Sequence, residues 1–560
     1  MVKLSIERIE NLLGRRLELK DLEKYLLRLK SESSIEDGYV NVEINSDRPD
    51  LLISEGIVRA LKGILEMELG IPRYSYESYE SVRLRVERVD SRPFILMAVV
   101  RDLEPGEEFL RELIQFQEKL HTTLGRNRWK AAIGIHDLSK LPSGDCVYRY
   151  VSLETPMKPL HIDRSMSVEE VLKETDQGRS YGGIALRNGM HPAIICGDEI
   201  ISLPPVINSD ITRLEPDTRD LLIDVTGTDL AIVEKILEIL TTTLAENSRR
   251  RYIGRIYISS EWGGGYYPRG VLESMKLERE YIEHVTGLKL SSSEIVRELL
   301  KARFNVEVLS DDLFLVTIPS YRADILHKID LVEEILLSHG LENIEPEYIH
   351  SFGRGSLRRE SLLIRRIRDI MTGLGFTEVM GYILGSKDLY DLIGLSDYIE
   401  VSNPVSREFS VVRSSMIPSM LTILSYVQNE SKPIKIYEIN EFVVRDPQSY
   451  TGVRTRLGIS IAVMDHEISF EDIHSVVVSL LRYLGLKPKI SRESRNLLIS
   501  KDLGLLIEGR RGVISLEGFE IGVLGEVDPE ILERLKIRYP AAVSSIDLDM
   551  LLAFLYSRES

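Results

Sequence analysis

Ile and Leu recur three to four positions apart among charged residues in MVKLSIERIENLLGRRLELKDLEKYLLRLK at the start of the chain. Over residues 4–30 that spacing predicts two short amphipathic helices broken near Gly14. YVNVEIN at 39–45 alternates apolar and polar residues, the period of a strand. SDRPD at 46–50 reads as a turn, because Pro49 blocks helix and Asp and Ser favour turns. Ser54 is placed as the cap of a helix through SEGIVRALKGILEMELG, which has acids early and Gly70 at its end. YSYESYES at 74–81 reads as a polar connection.

From 89 to 267 the two periods mix. FILMAVVRDL is a buried strand and GEEFLRELIQFQEKLHTTLG a long helix ending at Gly125. AAIGIHDL, GIALRNG, AIICGDEIISLPPVI and DLLIDVTG read as short strands, and DLAIVEKILEILTTTLAEN as another helix. This is one α+β domain, closed by a hinge-like break at WGGGYYPRG, 262–270. Next come the helices KLEREYIEHVTG and SSSEIVRELLKA, a hairpin NVEVLSDDLFLVTI, and an acidic helix in IPSYRADILHKIDLVEEIL. Helices around a small hairpin suggest a compact winged-helix-like module. Beyond about 355, helices alternate with longer strands, and IKIYEINEFVV, RLGISIAVM and GVISLEGFEIGVLGEV fit a large antiparallel sheet. The fold class is therefore α+β multidomain: a small N-terminal α/β domain at 1–88, an α+β domain at 89–267, the winged-helix-like module at 268–346 and the sheet domain at 347–560.

Composition narrows the class. A chain of 560 residues with 43% hydrophobic and 28% charged residues is globular, with room for about four domains. It has no run of 18 apolar residues, so no membrane helix is expected, and its charged N-terminus is not a secretory signal. Cys146 and Cys196 are the only cysteines, which argues against a disulfide framework or a Cys-rich zinc site and fits a reducing cytoplasm. The net charge of -17 argues against non-specific coating of nucleic acid. RNA contact would fall to local basic stretches: GRNRWK at 125–130, RRRYIGR at 249–255 and LRRESLLIRRIRD at 357–369. From charge alone each reads rather as a solvated helix face or a subunit-facing surface, because the summed field repels phosphate.

Three constellations carry candidate chemistry. Asp330, Glu333 and Glu334 stand at i, i+3 and i+4, one face of a helix, with Asp324 just upstream. Ile329, Val332, Ile335 and Leu336 are expected on the opposite, buried side. Converging carboxylates suit Mg²⁺, a hard cation, although acids at a helix start also complement the macrodipole. Arg413, before a helix containing Pro418, is either a phosphate ligand or a surface ion pair. In the 89–267 domain, His136, Asn208, Asp224 and Thr226 stand at strand ends with Ser209, Asp210 and Thr228, where they can line a pocket or cap turns. There is no Ser/His/Asp elbow, no metal-binding His pair, no Walker loop and no G-x-G-x-x-G after a strand. Any hydrolysis would use a positioned water.

Together these stretches resemble the beta subunit of phenylalanyl-tRNA synthetase, archaeal and eukaryotic-cytosolic type, over nearly the whole chain. NSDRPDLLISEGIVRAL is similar to the family's N-terminal signature, PSYRADILHKIDLVEEILLSHGLENIEP to its metal-linked module, and SNPVSREFSVVRSSMIPSMLTILSYVQN with YEINEFVV to its degenerate class II catalytic fold. IGVLGEVDPEIL also fits. The resemblance implies two alpha and two beta chains, cytoplasmic, acting on tRNA(Phe), with the ATP and phenylalanine site in the alpha chain. Ser-Ser-Met after Arg413 agrees, because a working class II motif would carry an acid there. The resemblance also implies Mg²⁺ at Asp324, Asp330, Glu333 and Glu334. It further implies hydrolytic editing of Tyr-tRNA in the 89–267 domain. There Asn208, Asp224 and Thr226 would meet the tyrosine hydroxyl and the ester, and Arg126, Arg128 and His136 would hold the tRNA end. The chain stops soon after the sheet domain, which leaves anticodon reading open. The rival readings are a stand-alone RNA-binding scaffold and a metal-dependent hydrolase centred on the acidic helix.

Overall fold

The computed structural model describes residues 1–142, 145–348, 353–494 and 496–559. It divides into two compact units, Met1–Tyr348 and Ile349–Ser560. The boundaries expected near 88 and 267 fall inside the first unit.

A ten-stranded sheet forms the centre of the first unit. Its path runs Ile207–Asn208, Glu199–Leu203, Met190–Cys196, Cys146–Ser152, Ser75–Val86, Tyr252–Ser260, Phe94–Val100, Leu221–Gly227, Ala131–Asp137, with Gly263–Tyr267 paired off this path to Tyr252–Ser260. The two ends of the path approach one another, and the Asn208 side-chain amide donates to the Ile135 carbonyl across the seam at 3.2 Å. Phe94–Val100 and Leu221–Gly227 are apolar runs buried on both faces, and the helix Leu230–Ala245 covers them with Ile236, Leu237, Leu240 and Leu244. The helix Glu107–Thr122 turns Phe109, Leu113, Phe116 and Leu120 inward at helical spacing. Its buried Glu112 accepts from the Ser5 and Ser54 backbone amides at 2.9 and 3.2 Å and from Arg8 at 2.8 Å, tying the N-terminal helices to this region.

Several expectations are corrected here. Ser54 is not a cap: the cap position is Ile53, and Glu112, from a distant helix, satisfies the buried Ser54 amide. The YSYESYES stretch opens a twelve-residue strand in the middle of the sheet, parallel to both neighbours, because Val82, Leu84 and Val86 alternate with arginines at strand period and cross-strand pairing outweighs the polarity of the first half. GIALRNG is not a strand; it spans the end of the helix Asp176–Ala185 and the turn after it. The WGGGYYPRG hinge is the second strand of a hairpin. The first residues of KLEREYIEHVTG close the strand Glu273–Glu278, and the helix starts only at Arg279. Cys146 and Cys196 face each other in register on adjacent antiparallel strands, Cα atoms 4.1 Å apart, and form a disulfide. Register, which brings together residues 50 apart in sequence, made the pair that the low cysteine count argued against.

Still within the first unit, the three-stranded sheet Glu273–Glu278, Leu313–Ile318, Asn305–Ser310 carries the helices Arg279–Thr286, Ser292–Lys301 and Lys328–His339 around one core built on Leu277, Phe304, Phe314, Leu331 and Ile335. The second unit holds a seven-stranded sheet, antiparallel except at its Thr377–Glu378 edge. Period-two alternation shows directly: Ile459, Ile461 and Val463 serve one core, Ala462 and Met464 the other.

Candidate functional site

A cavity of about 840 Å³ opens in the first unit where the two ends of the large sheet meet. Small-molecule sites usually measure roughly 300–1,000 Å³. The strand Ala131–Asp137 supplies Ala132, Ile133, Gly134 and Ile135 to its wall; Asn208 and Ser209 stand across the seam; Gln117, Glu118 and His121 come from the helix Glu107–Thr122.

Asp224 sits in that wall, 1% exposed. His136, wholly buried, lies behind it. Its Nε2–H donates to Asp224 Oδ2 at 2.9 Å, and its Nδ1 is hydrogen-bonded to the Thr212 hydroxyl at 2.7 Å. The arrangement needs Gly134. Gly134 is the register partner of Asp224, and a Cβ there would stand 1.9 Å from Asp224 Oδ2 and 3.0 Å from His136 Nε2. Asn208 accepts from Ser202 Oγ at 3.0 Å while donating across the seam, so it is fixed on both sides. Ser202 and Ser209 both face the cavity, but each hydroxyl donates to an amide or carbonyl oxygen, the latter to Lys158 O at 2.8 Å. Neither is paired with a base, so neither is an activated nucleophile.

The rim is held by a second network. His121 Nε2 accepts from the Ile133 amide at 2.8 Å, which leaves Nδ1–H to donate to Glu118 at 3.1 Å. Burial pushes the His121 pKa down, so the ring stays neutral near pH 7. Arg128 donates to Glu118 at 2.7 Å and to the Val206 carbonyl at 2.9 Å, and its guanidinium lies 4.4 Å from the centre of the Tyr181 ring.

Of the six residues expected here, Asn208, Asp224 and Arg128 line the cavity. His136 and Thr226 are fully buried behind the wall. Thr226 accepts from Arg92, Nε to Oγ1 at 2.8 Å and Nη2 to the carbonyl at 2.7 Å. Arg92 is itself buried, and its loss of hydration pulls its pKa down to about 10. Arg126 is exposed and is not among the lining residues. Sequence reasoning missed Gly134, Thr212, Glu118, His121 and Arg92. Gly134 had a readable signal: an isolated glycine inside an apolar strand marks a close approach. The others are brought in by pairing between distant segments.

The acidic helix Lys328–His339 begins with a capping box: Asp330 accepts from the His327 amide at 2.7 Å and the Leu326 amide at 2.8 Å. Arg322 is buried between Asp324 and Glu334 and donates to each at 2.6 Å. Burial alone would raise the Asp324 pKa, but Arg322 overrides it and holds the carboxyl below its usual range. Glu333 is exposed and pairs with Lys30 at 3.1 Å. Asp324, Asp330 and Glu333, with Asp47, line a cavity of about 350 Å³, whereas Glu334 sits among the arginines Arg48, Arg59 and Arg322 on another side. Among the described residues no three carboxylates or imidazoles converge closely enough to enclose an ion. The donor chemistry nevertheless fits a magnesium ion, which keeps its waters and needs only one or two carboxylates. On the far face Val332 and Ile335 are buried and Leu336 is half-buried, as expected, but Ile329 is 38% exposed and Leu331 takes its place in the core.

In the second unit Arg413 is neither a surface ion pair nor open to a phosphate. It is 1% exposed, donates to the wholly buried Glu438 at 3.1 Å, and also holds Ser419 Oγ and the Glu441 carbonyl, each at 2.8 Å.

Comparisons with known proteins place this architecture. The family model described as the phenylalanyl tRNA synthetase beta chain CLM domain matches residues 349–548, and that of the tRNA synthetase B5 domain matches 275–341. The phenylalanine–tRNA ligase beta subunit of Sulfurisphaera tokodaii is 41% identical over 94% of this chain and 95% of its own. That of Aeropyrum pernix is 40% identical over 98% of both chains. An N-terminal fragment of the phenylalanyl-tRNA synthetase beta subunit from Pyrococcus horikoshii superposes with a TM-score of 0.57 at 31% identity, covering 60% of this chain and 99% of the fragment. The chain belongs to the family of phenylalanine–tRNA ligase beta subunits.

Proposed function

We propose that the cavity at the sheet seam hydrolyses tyrosine wrongly esterified to tRNA(Phe), while a catalytic alpha subunit, two with two beta chains in the cytoplasm, performs the ATP-dependent attachment of phenylalanine. Family membership makes the chain a component of an aminoacyl-tRNA ligase; editing is our reading of its cavity. Residues 89–267 are then the editing domain, 268–346 a winged-helix-like module, and 347–560 an inactive class II-like domain. The observation that carries the reading is Asp224, a buried carboxylate set in the wall of an open cavity, with one oxygen engaged by His136. A tyrosine phenol donates to the other oxygen. Phenylalanine would desolvate that carboxylate without pairing it, and sites built to bond a hydroxyl reject its absence by roughly 10⁴-fold or more.

Hydrolysis then needs a water, since no serine of the wall is activated. The water adds to the ester carbonyl carbon, the bond to the ribose oxygen breaks, and that oxygen takes the proton. Asn208 is a polar contact for the ester. Arg128 and the exposed Arg126 serve the phosphates; His136 orients Asp224; Thr226, gripped by Arg92, supports the strand behind it. In Asp224→Ala, phenylalanine attachment by the complex is expected to stay within about twofold while Tyr-tRNA hydrolysis falls at least about 100-fold. An unchanged hydrolysis rate removes Asp224 from the site.

The metal reading is proposed alongside. Of the four acids the resemblance assigns to Mg²⁺, Asp324, Asp330, Glu333 and Glu334, it is Asp330 and Glu333 on the cavity side that would offer open oxygens to the ion, while Arg322 holds Asp324 and turns Glu334 away. Bound there, the ion would neutralise surplus negative charge at the helix start. The wild-type chain is expected to melt higher with millimolar Mg²⁺ than with EDTA, and Asp330→Ala to lose that difference. Equal melting of the wild type with and without Mg²⁺ would sink the assignment.

A further inference from the structure

The stretch GRNRWK, between the helix Glu107–Thr122 and the strand Ala131–Asp137, has an unusual backbone. Arg126, Asn127 and Arg128 have φ of 47°, 53° and 66°, three consecutive non-glycine residues in the left-handed region. Each such residue costs free energy and persists only where its surroundings over-determine it. The surroundings here do so from within. The Arg128 amide donates to the His121 carbonyl at 3.2 Å, Trp129 to Arg126 at 3.1 Å, and Lys130 to Gly125 at 2.9 Å. Arg92 reaches up from the buried side and donates to the carbonyls of Arg128 and Trp129 at 3.1 and 3.3 Å. Gly125 allows the close approach, since a Cβ there would stand 2.5 Å from the Ala131 carbonyl.

The backbone and the Arg128 side chain are thus locked, while Trp129 is left 60% exposed. In the chain it lies between Arg128 and Ala132, which line the cavity, while Trp129 itself is not part of the lining; the exposed Arg126 and half-buried Lys130 are its near neighbours in sequence. An exposed indole next in the chain to a cavity-lining arginine, with the exposed Arg126 beside it, offers an aromatic face for a base and local positive charge for phosphate, the combination that holds single-stranded nucleic acid.

We propose that Trp129 is the stacking platform for a base of the single-stranded 3′ end of the tRNA, and that the strained Arg126–Arg128 turn presents it. This rests on the editing reading and adds to it the residue that seats the RNA. Binding by stacking is present before and during hydrolysis, so its loss raises KM more than it lowers kcat.

The test uses the complete alpha–beta complex and Tyr-tRNA(Phe). Trp129→Ala is expected to raise KM for hydrolysis about 5- to 100-fold with kcat within about threefold, and Trp129→Phe to restore KM to within about threefold of wild type. An unchanged KM in Trp129→Ala, or an equal defect in Trp129→Phe, overturns the proposal. Should the wild type fail to hydrolyse Tyr-tRNA, the editing reading falls and stacking is judged separately. The chain has two tryptophans, so in the full beta chain without its partner Trp262→Phe isolates the Trp129 fluorescence. An RNA hairpin ending in single-stranded CCA is expected to quench it, more than the same hairpin with a blunt end. Equal or no quenching by the two hairpins overturns the platform.

Discussion

Replacing Arg413 by Ala is expected to destabilise the second unit by about 3–5 kcal/mol, because it leaves Glu438 as an uncompensated buried charge. Glu438 is wholly buried, and among the described residues its partners besides Arg413 are the Gly381 amide at 3.0 Å and the Asn440 side-chain amide at 2.8 Å. Those two hydrogen bonds do not replace a full countercharge in the interior. The sharper form of the test is the double variant Arg413→Met with Glu438→Leu. Removing both charges together is expected to cost less than removing Arg413 alone, since the loss in the single variant is mostly the stranded carboxylate. Denaturant unfolding of the full chain, followed through the transition of the second unit, measures both. A double variant less stable than Arg413→Ala would show that the pair itself, and not the orphaned charge, carries the energy. Were Arg413 a phosphate ligand, the single variant would weaken ATP binding at unchanged stability, the opposite pattern.

Gly134→Ala is expected to cost the cavity its chemistry with phenylalanine attachment intact. The new methyl would coincide with the Asp224 carboxylate and press on the His136 ring. A flexible carboxylate can swing, but this one is fixed by His136 and enclosed at 1% exposure, so either the His136 bond breaks or the strand shifts. Overpacking of this kind costs about 1–3 kcal/mol. Tyr-tRNA hydrolysis is expected to fall at least about 100-fold, because a carboxylate displaced by even 1 Å no longer meets the phenol. A Gly134→Ala enzyme that hydrolyses Tyr-tRNA at the wild-type rate would mean that Asp224 does not act from the position seen here.

Both experiments probe residues whose partners lie far away in sequence, and that separates what the chain declares locally from what its folding decides. Periodicity alone located most of the regular elements: the helices Glu107–Thr122 and Leu230–Ala245 and the strands Phe94–Val100 and Leu221–Gly227 follow from apolar spacing, which is a local property. The motif stretches carried the family resemblance, and small polar residues at strand ends brought Asn208 and Asp224 to notice as site candidates. Strand pairing and burial decided the rest. Pairing turned a tyrosine-rich polar segment into a central strand, set Cys146 against Cys196, and brought Asn208 to the Ile135 carbonyl so that the sheet ends meet around a cavity. Burial moved Thr226 and His136 behind the cavity wall and Arg413 into a core. At the acidic helix, spacing placed Asp330, Glu333 and Glu334 on one face, yet the structure sends Glu334 to Arg322 and Glu333 to Lys30. Helical spacing is set within a few residues by backbone hydrogen bonds and can be read from sequence. Where each carboxylate points is set by the charges folded against it, and those come from other segments of the chain.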